Sequence, residues 1–212
     1  RWLLGCLLLN FGILAVVKYT NFVLSNISGV LALFGGGTLP IFSLVLPMGI
    51  SFYTFQAMGY LIDVYWGKCP AEGSLGKFAL FVTFFPQLIQ GPISRFGDLS
   101  PTLYEEHPWN GRQIAMGGER ILWGLAKKLI VADRLAIPLR TLVADPEQYS
   151  GVYVLAVIFL YAVQLYADFT GGIDITIGAA QMLGVQVTEN FIRPFFSKNV
   201  AEYWRRWHIT MG

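Results

Sequence analysis

His208 closes the run Glu202-Tyr203-Trp204-Arg205-Arg206-Trp207-His208, which sets an imidazole beside tryptophans and arginines. Imidazole changes charge close to neutral pH, so a histidine in such company can exchange a proton or a hydrogen bond with a reactant. Read as a helix with Ser197 as its N-cap and running to at least His208, the segment puts Ala201, Trp204 and His208 on one face. Glu202 and Arg206 then pair at i, i+4 on another. Burial and the nearby cations both disfavour imidazolium, so a neutral His208 able to accept a proton or a hydrogen bond is expected. The same residue types also suit an interfacial belt, in which aromatics and bases anchor a helix end at the lipid headgroups.

Asp168 and Asp174 are the second group, joined by Phe169-Thr170-Gly171-Gly172-Ile173 between apolar runs. Carboxylates at such depth are costly, and they mark either a functional interior or a structural partner for an arginine. Arg193, Arg205 and Arg206 are the nearest cations considered, and ion pairing is favoured over proton transfer. His107 lies in the polar stretch Tyr104-Glu105-Glu106-His107-Pro108 and needs no role beyond solubility. There is no Gly-x-Ser-x-Gly elbow, phosphate loop or His-Glu-x-x-His pattern. Cys6 and Cys69 lack a second cysteine or histidine at ligand spacing, so neither a metal site nor a disulfide framework is indicated.

The elements that must hold these groups are apolar. Of 212 residues, 55% are hydrophobic and 13% charged, with a mean hydropathy of +0.55, which places most of the chain in lipid. A net charge of +2, dispersed along the chain, excludes nucleic acid as a partner. Residues 3–17 and 22–34 read as one long helix or a helix pair, and residues 39–65 as a second apolar helix kinked at Pro47. A polar loop over 69–77 leads to the apolar run 78–85. Gln87-Leu88-Ile89-Gln90-Gly91-Pro92 then suits a broken or re-entrant segment buried in protein. Residues 95–111 read as an exposed loop, and 112–143 as an interfacial or tilted helix whose Lys127, Lys128 and Arg134 snorkel. Asp145-Pro146 begins a loop, residues 152–167 form a helix that carries Gln164, and residues 173–183 form a shorter, separate one. The chain opens at Arg1 and stops at Gly212, so both natural ends are expected to lie beyond it.

Five runs carry a resemblance: residues 46–56 (Leu46-Pro47-Met48-Gly49 onward), Phe84-Phe85-Pro86-Gln87-Leu88-Ile89-Gln90-Gly91-Pro92-Ile93, Tyr166-Ala167-Asp168-Phe169, Glu189-Asn190-Phe191-Ile192-Arg193-Pro194 and the run ending in His208. In that order they resemble the membrane-bound O-acyltransferase (MBOAT) family, in its bacterial branch of alginate O-acetylases and teichoic acid D-alanyl transferases. The resemblance implies an all-α, polytopic membrane protein, a bundle of kinked, tilted and re-entrant helices around a tunnel. Residues 1–212 would be one membrane domain, the central part of such a fold without its C-terminal part, in the cell membrane.

The implied activity moves an acyl group, acetyl first among the choices, from a cytoplasmic thioester to a hydroxyl of a cell-surface polysaccharide or related polymer. Its partners would be the acyl donor or acyl carrier protein, the extracytoplasmic polysaccharide or an acceptor-side protein, and the bilayer. Acyl-CoA or an acyl carrier would be a co-substrate, with no bound cofactor and no metal. His208 matches one of the family's two key positions. The other, usually assigned as general base, lies downstream of this segment, which alone is expected to be inactive. The implied substrate-binding residues are Gln164, Asp168, Asn190, Arg193, Trp204, Arg205 and Arg206. The chain departs from the family at Phe169-Thr170-Gly171-Gly172-Ile173-Asp174, where Phe-Ser-Gly-Tyr-Ser-Asp is usual, and at Ile192, where Asn is usual. A non-enzymatic transporter or polymer-export partner, with Asp168, Asp174 and the arginines lining a pathway, is the competing reading.

Overall fold

The computed structural model describes residues 1–43, 46–144, 148–149 and 151–211. It is helical, and among the described residues the only β pairing is an isolated antiparallel bridge between Phe191 and Trp207. The chain divides into two compact units, Arg1–Thr83 and Phe84–Gly212.

In the first unit the apolar N-terminal residues form one unbroken helix, α1, Trp2–Leu33. Its length of 32 residues exceeds the roughly 20 needed to span a bilayer, and its surface is almost wholly exposed leucine, isoleucine, valine and phenylalanine. After a turn the chain runs back along it. There the Asn21 side chain donates to Phe42 O (2.7 Å) and accepts from Phe42 N (2.9 Å), which serves both backbone groups of one residue as a neighbouring strand would.

The kinked helix expected over 39–65 is not found: α2 starts only at Ile50 and ends at Tyr65. Pro47 lies before it, in a turn that ends at Gly49 with φ 74°, a left-handed conformation that glycine adopts without a Cβ clash. The loop expected over 69–77 ends early, because the Ser74 hydroxyl accepts from Lys77 N and caps α3, Leu75–Val82. Phe81 of α3 and Tyr60 of α2 are buried together, and Tyr60 accepts from Glu72 N at 2.7 Å.

The second unit opens with the broken segment. A short 3-10 turn, Phe85–Gln87, in which Pro86 and Gln87 are buried, is followed by irregular backbone that buries Gly91 and Pro92. The exposed loop expected over 95–111 contains a helix instead, α4, Phe96–Leu103. Phe96, Leu99 and Leu103 stand at i, i+3 and i+7 and are all buried, so an apolar stripe outweighs the turn-forming Pro101 inside the helix.

The core of this unit is the crossing of α5, Gly111–Ala126, with α7, Val152–Met182. A Cβ on Gly117 would lie 2.6 Å from Gly178 O, and one on Gly124 would lie 2.5 Å from Gly171 O. The two backbones therefore touch, antiparallel, at two points two turns apart. This contact corrects the expectation of separate helices on either side of Gly171-Gly172. Glycine inside a helix costs about 0.5–1 kcal/mol, but here it permits a contact that any side chain would prevent, and α7 runs straight through.

A π-helical turn, Lys127–Ala132, joins α5 to α6, Asp133–Ala144. Its lysines do not snorkel as expected; they turn onto α7. The Asp145-Pro146 loop lies outside the described residues. The last helix is also shorter than expected. Asn199, not Ser197, caps α8, Val200–Arg206, its Oδ1 accepting from Glu202 N at 2.8 Å. The Ser197 hydroxyl bonds back to Pro194 O.

Candidate active site

His208 is not on a helix. α8 stops at Arg206, Trp207 is extended, and His208 adopts φ 54°, so the shared face with Ala201 and Trp204 does not form. A non-glycine residue held in the left-handed region persists only where its surroundings fix it, and the surroundings here are specific. Trp207 pairs with Phe191 in the antiparallel bridge, with Ile192 N donating to Arg206 O and Ile209 N to Asn190 O, both at 3.0 Å. Asn190 is fully buried. Its Nδ2 lies 3.2 Å from His208 Nδ1, while its Oδ1 accepts from both the backbone N and the hydroxyl of Thr210, each at 3.1 Å.

Around this pair stands an aromatic wall. Phe169 of α7 and Phe191 lie 4.8 and 5.7 Å from the imidazole, centroid to centroid. Trp207 meets Phe191 edge-on at 4.8 Å and stacks on Tyr203 at 5.5 Å. Burial pushes the His208 imidazole below its ordinary pKa, in keeping with a neutral ring at pH 7. The sequence also pointed to cations as a cause, but Glu202 takes Arg206 in the expected i, i+4 pair, and desolvation alone accounts for the shift.

The carboxylates of α7 form a second cluster with partners other than those expected. Asp174 accepts from Arg120 Nε at 3.0 Å and from Lys127, and Arg120 also grips Glu189 with both terminal nitrogens at 2.6 and 2.7 Å. Asp168 pairs with Lys128 at 2.6 Å, which also reaches Asp133 at 3.1 Å. Arg193, Arg205 and Arg206 take no part in these pairs. The missed cations nonetheless had a signal in the sequence. Gly117, Arg120, Gly124 and Lys127 follow i, i+3, i+7, i+10 spacing, one helix face, and Gly171, Asp174 and Gly178 repeat it on α7.

The remaining expected substrate-binding residues are dispersed. Trp204, Arg205 and Arg193 are exposed, Arg193 at φ 44° before the 3-10 turn Pro194–Phe196. Gln164 lines a groove of about 420 Å³ with Arg140 and Tyr161, between α6 and α7. Arg120 and Glu189 line another cleft of about 420 Å³ with Gln113, Gln181 and Gln186. Asn190, another expected substrate contact, has its side chain buried and bonded to His208 and Thr210. His107 is not merely solvated either: its Nε2 bonds Thr102 O at 2.6 Å and its ring fills the space a Cβ on Gly184 would need. At Gly172, one of the departures from the resembled pattern, the space beside the α-carbon is filled by the carboxamide of Gln90. Among the described residues no cluster of histidine, cysteine or carboxylate could hold a metal.

Residues 73–212 match the model described as the MBOAT, membrane-bound O-acyltransferase family. Over its whole length the chain is 37% identical to a probable alginate O-acetylase of Pseudomonas aeruginosa and 38% identical to one of Pseudomonas syringae pv. tomato, covering 40% of each. It is 30% identical to a peptidoglycan O-acetyltransferase of Helicobacter pylori, covering 44% of that protein. The chain thus spans about two-fifths of the length of these curated relatives. With the ordered motifs, these matches establish that the chain belongs to the membrane-bound O-acyltransferase family.

Proposed function

We propose that the whole protein is a multi-pass enzyme of the cell membrane. It transfers an acyl group, acetyl by analogy with the names of its relatives, from a cytoplasmic thioester, acyl-CoA or an acyl carrier protein, to a hydroxyl of a cell-surface polysaccharide. An acceptor-side protein partner would present the polymer. The observation that carries the reading is His208: a half-buried imidazole, walled by Phe169 and Phe191 and held by Asn190, which the motif resemblance likens to one of the family's two key histidines.

In the proposed step the acceptor oxygen attacks the thioester carbonyl carbon. The C–O bond forms, the C–S bond breaks, and the hydroxyl proton passes through a base to the departing thiolate. Donors aimed at the carbonyl oxygen stabilise the tetrahedral oxyanion. The transporter reading needs Asp168 and Asp174 free to line a pathway, and their engagement with Lys128, Arg120 and Lys127 counts against it.

The test is transfer of labelled acyl groups from a thioester donor to candidate glycans in membranes holding the full-length protein. With His208→Ala the rate should fall by about 100-fold or more, the size of effect seen when one catalytic donor or proton carrier is removed. Wild-type transfer by the variant would remove His208 from the chemistry.

A further inference from the structure

Asn190 is a donor-acceptor group whose orientation is forced. Thr210 N is a backbone N–H that can only donate, and it points at Asn190 Oδ1 from 3.1 Å, so the amide oxygen must face Thr210. The Thr210 hydroxyl adds a second bond to the same oxygen. Reversing the amide would set NH₂ against N–H in a fully buried position. The nitrogen that faces His208 Nδ1 at 3.2 Å is therefore a donor with no lone pair to offer, and Nδ1 must accept. A neutral imidazole that accepts at Nδ1 carries its proton on Nε2.

We infer that Asn190 is a positioning residue that locks His208 in its Nε2–H form, so that His208 acts on the substrate as a hydrogen-bond donor rather than as the base. The inference rests on the acyl-transfer reading above and assigns the histidine its part in it. Nε2–H bonds the thioester carbonyl oxygen as that oxygen gains negative charge, and the acceptor proton goes to a base other than His208. The same arrangement makes imidazolium unfavourable, because a proton on Nδ1 would meet the amide N–H. The bonds from Ile209 N to Asn190 O and from Thr210 to Asn190 Oδ1 hold the loop at φ 54°, so tautomer and ring position are set by one residue.

Two measurements on the full-length protein test this. The first is ¹⁵N NMR of histidine-labelled protein in detergent, with His208→Gln used only to assign the His208 signals. Protonated Nε2 and bare Nδ1 at neutral pH are expected; a proton on Nδ1, or imidazolium at that pH, overturns the inference. The second is the pH profile of Asn190→Asp. Aspartate keeps the size of the side chain and its acceptor for Thr210, but it accepts from His208 at Nδ1, so the neutral ring shifts its proton to Nδ1 and loses the Nε2 donor. The new carboxylate also raises the imidazole pKa. Below that pKa, imidazolium restores Nε2–H; above it, the donor is gone. The ratio of variant to wild-type transfer should therefore be near one at low pH and fall at least tenfold as pH rises through the imidazole range. A ratio that is flat with pH, whether near one or near zero, overturns the positioning role. These outcomes are separate from that of His208→Ala: if that variant keeps full activity the acyl-transfer reading of the site fails, whereas a flat profile beside an inactive His208→Ala rejects only the lock.

Discussion

At the scale of single residues, the ion pairs of α7 combine expected and unexpected features. Asp174 sits between Arg120 and Lys127, its side chain only 13% exposed, and its carboxylate is shared by the two cations. Replacing it with asparagine would leave two cations without their shared anion, and the remaining amide cannot serve both. Loss of a charge-assisted bond of this kind costs about 2 kcal/mol, so Asp174→Asn should lower the thermal midpoint of the purified full-length protein by about 2 °C. A scanning measurement in one detergent, variant beside wild type, reads this directly, and an unchanged midpoint would mean that the network contributes no net stability. The pairing itself was legible in the carboxylates, since charges at such depth need partners. The identity of those partners was not, because residues 47 and 54 positions away in the chain become neighbours only when two helices cross.

At the scale of elements, the glycine contacts decide which helices touch. Gly124 faces Gly171 so closely that an added methyl would overlap a carbonyl oxygen, and neither backbone can yield without separating the pair. Gly124→Ala should cost about 1–3 kcal/mol through this overpacking. Gly118 has open space at its own Cβ position, and Gly118→Ala should be neutral or stabilising by up to about 1 kcal/mol through helix propensity. Folded yield and thermal midpoint of the two variants, purified side by side, provide the check. Equal behaviour would show that the crossing tolerates a wider separation. The same contact explains why reading Gly171-Gly172 as a helix break failed: local propensity argues for a break, and the neighbouring backbone, unseen in the one-dimensional pattern, reverses the sign. Pro101 and Pro47 repeat the lesson in opposite directions. A proline inside α4 is outvoted by three buried apolar residues, whereas at Pro47 the neighbouring Gly49 keeps the helix from starting.

At the scale of the whole molecule, the two longest helices are long and apolar enough to cross a membrane. α1 exposes apolar side chains along almost its whole length, while α7 divides into an exposed apolar half, Val152 to Leu165, and a buried half after Ala167. Water would not tolerate the first surface, and burying it in hydrocarbon removes roughly 25 cal/mol of penalty per Å². The full-length protein should accordingly stay with the membrane pellet after alkaline carbonate washing. Release into the supernatant would contradict the bilayer placement of α1 and of the first half of α7.

By itself the sequence determined the class of solvent around the chain, the helical character of nearly every segment, the broken stretch after Pro86 and the family that the ordered motifs resemble. Those properties follow from composition, local periodicity and ordered motifs, which are carried by neighbours along the chain. Only the tertiary structure decided that Asp168 and Asp174 answer to α5 and the π-helical turn, that Asn190 is buried, and that His208 leaves its helix to meet it. The physical reason is common to all three. A hydrogen bond or ion pair is satisfied by whatever group is nearest in space, and the buried amide of Asn190, eighteen positions before His208, becomes its nearest partner only once Phe191 and Trp207 have paired.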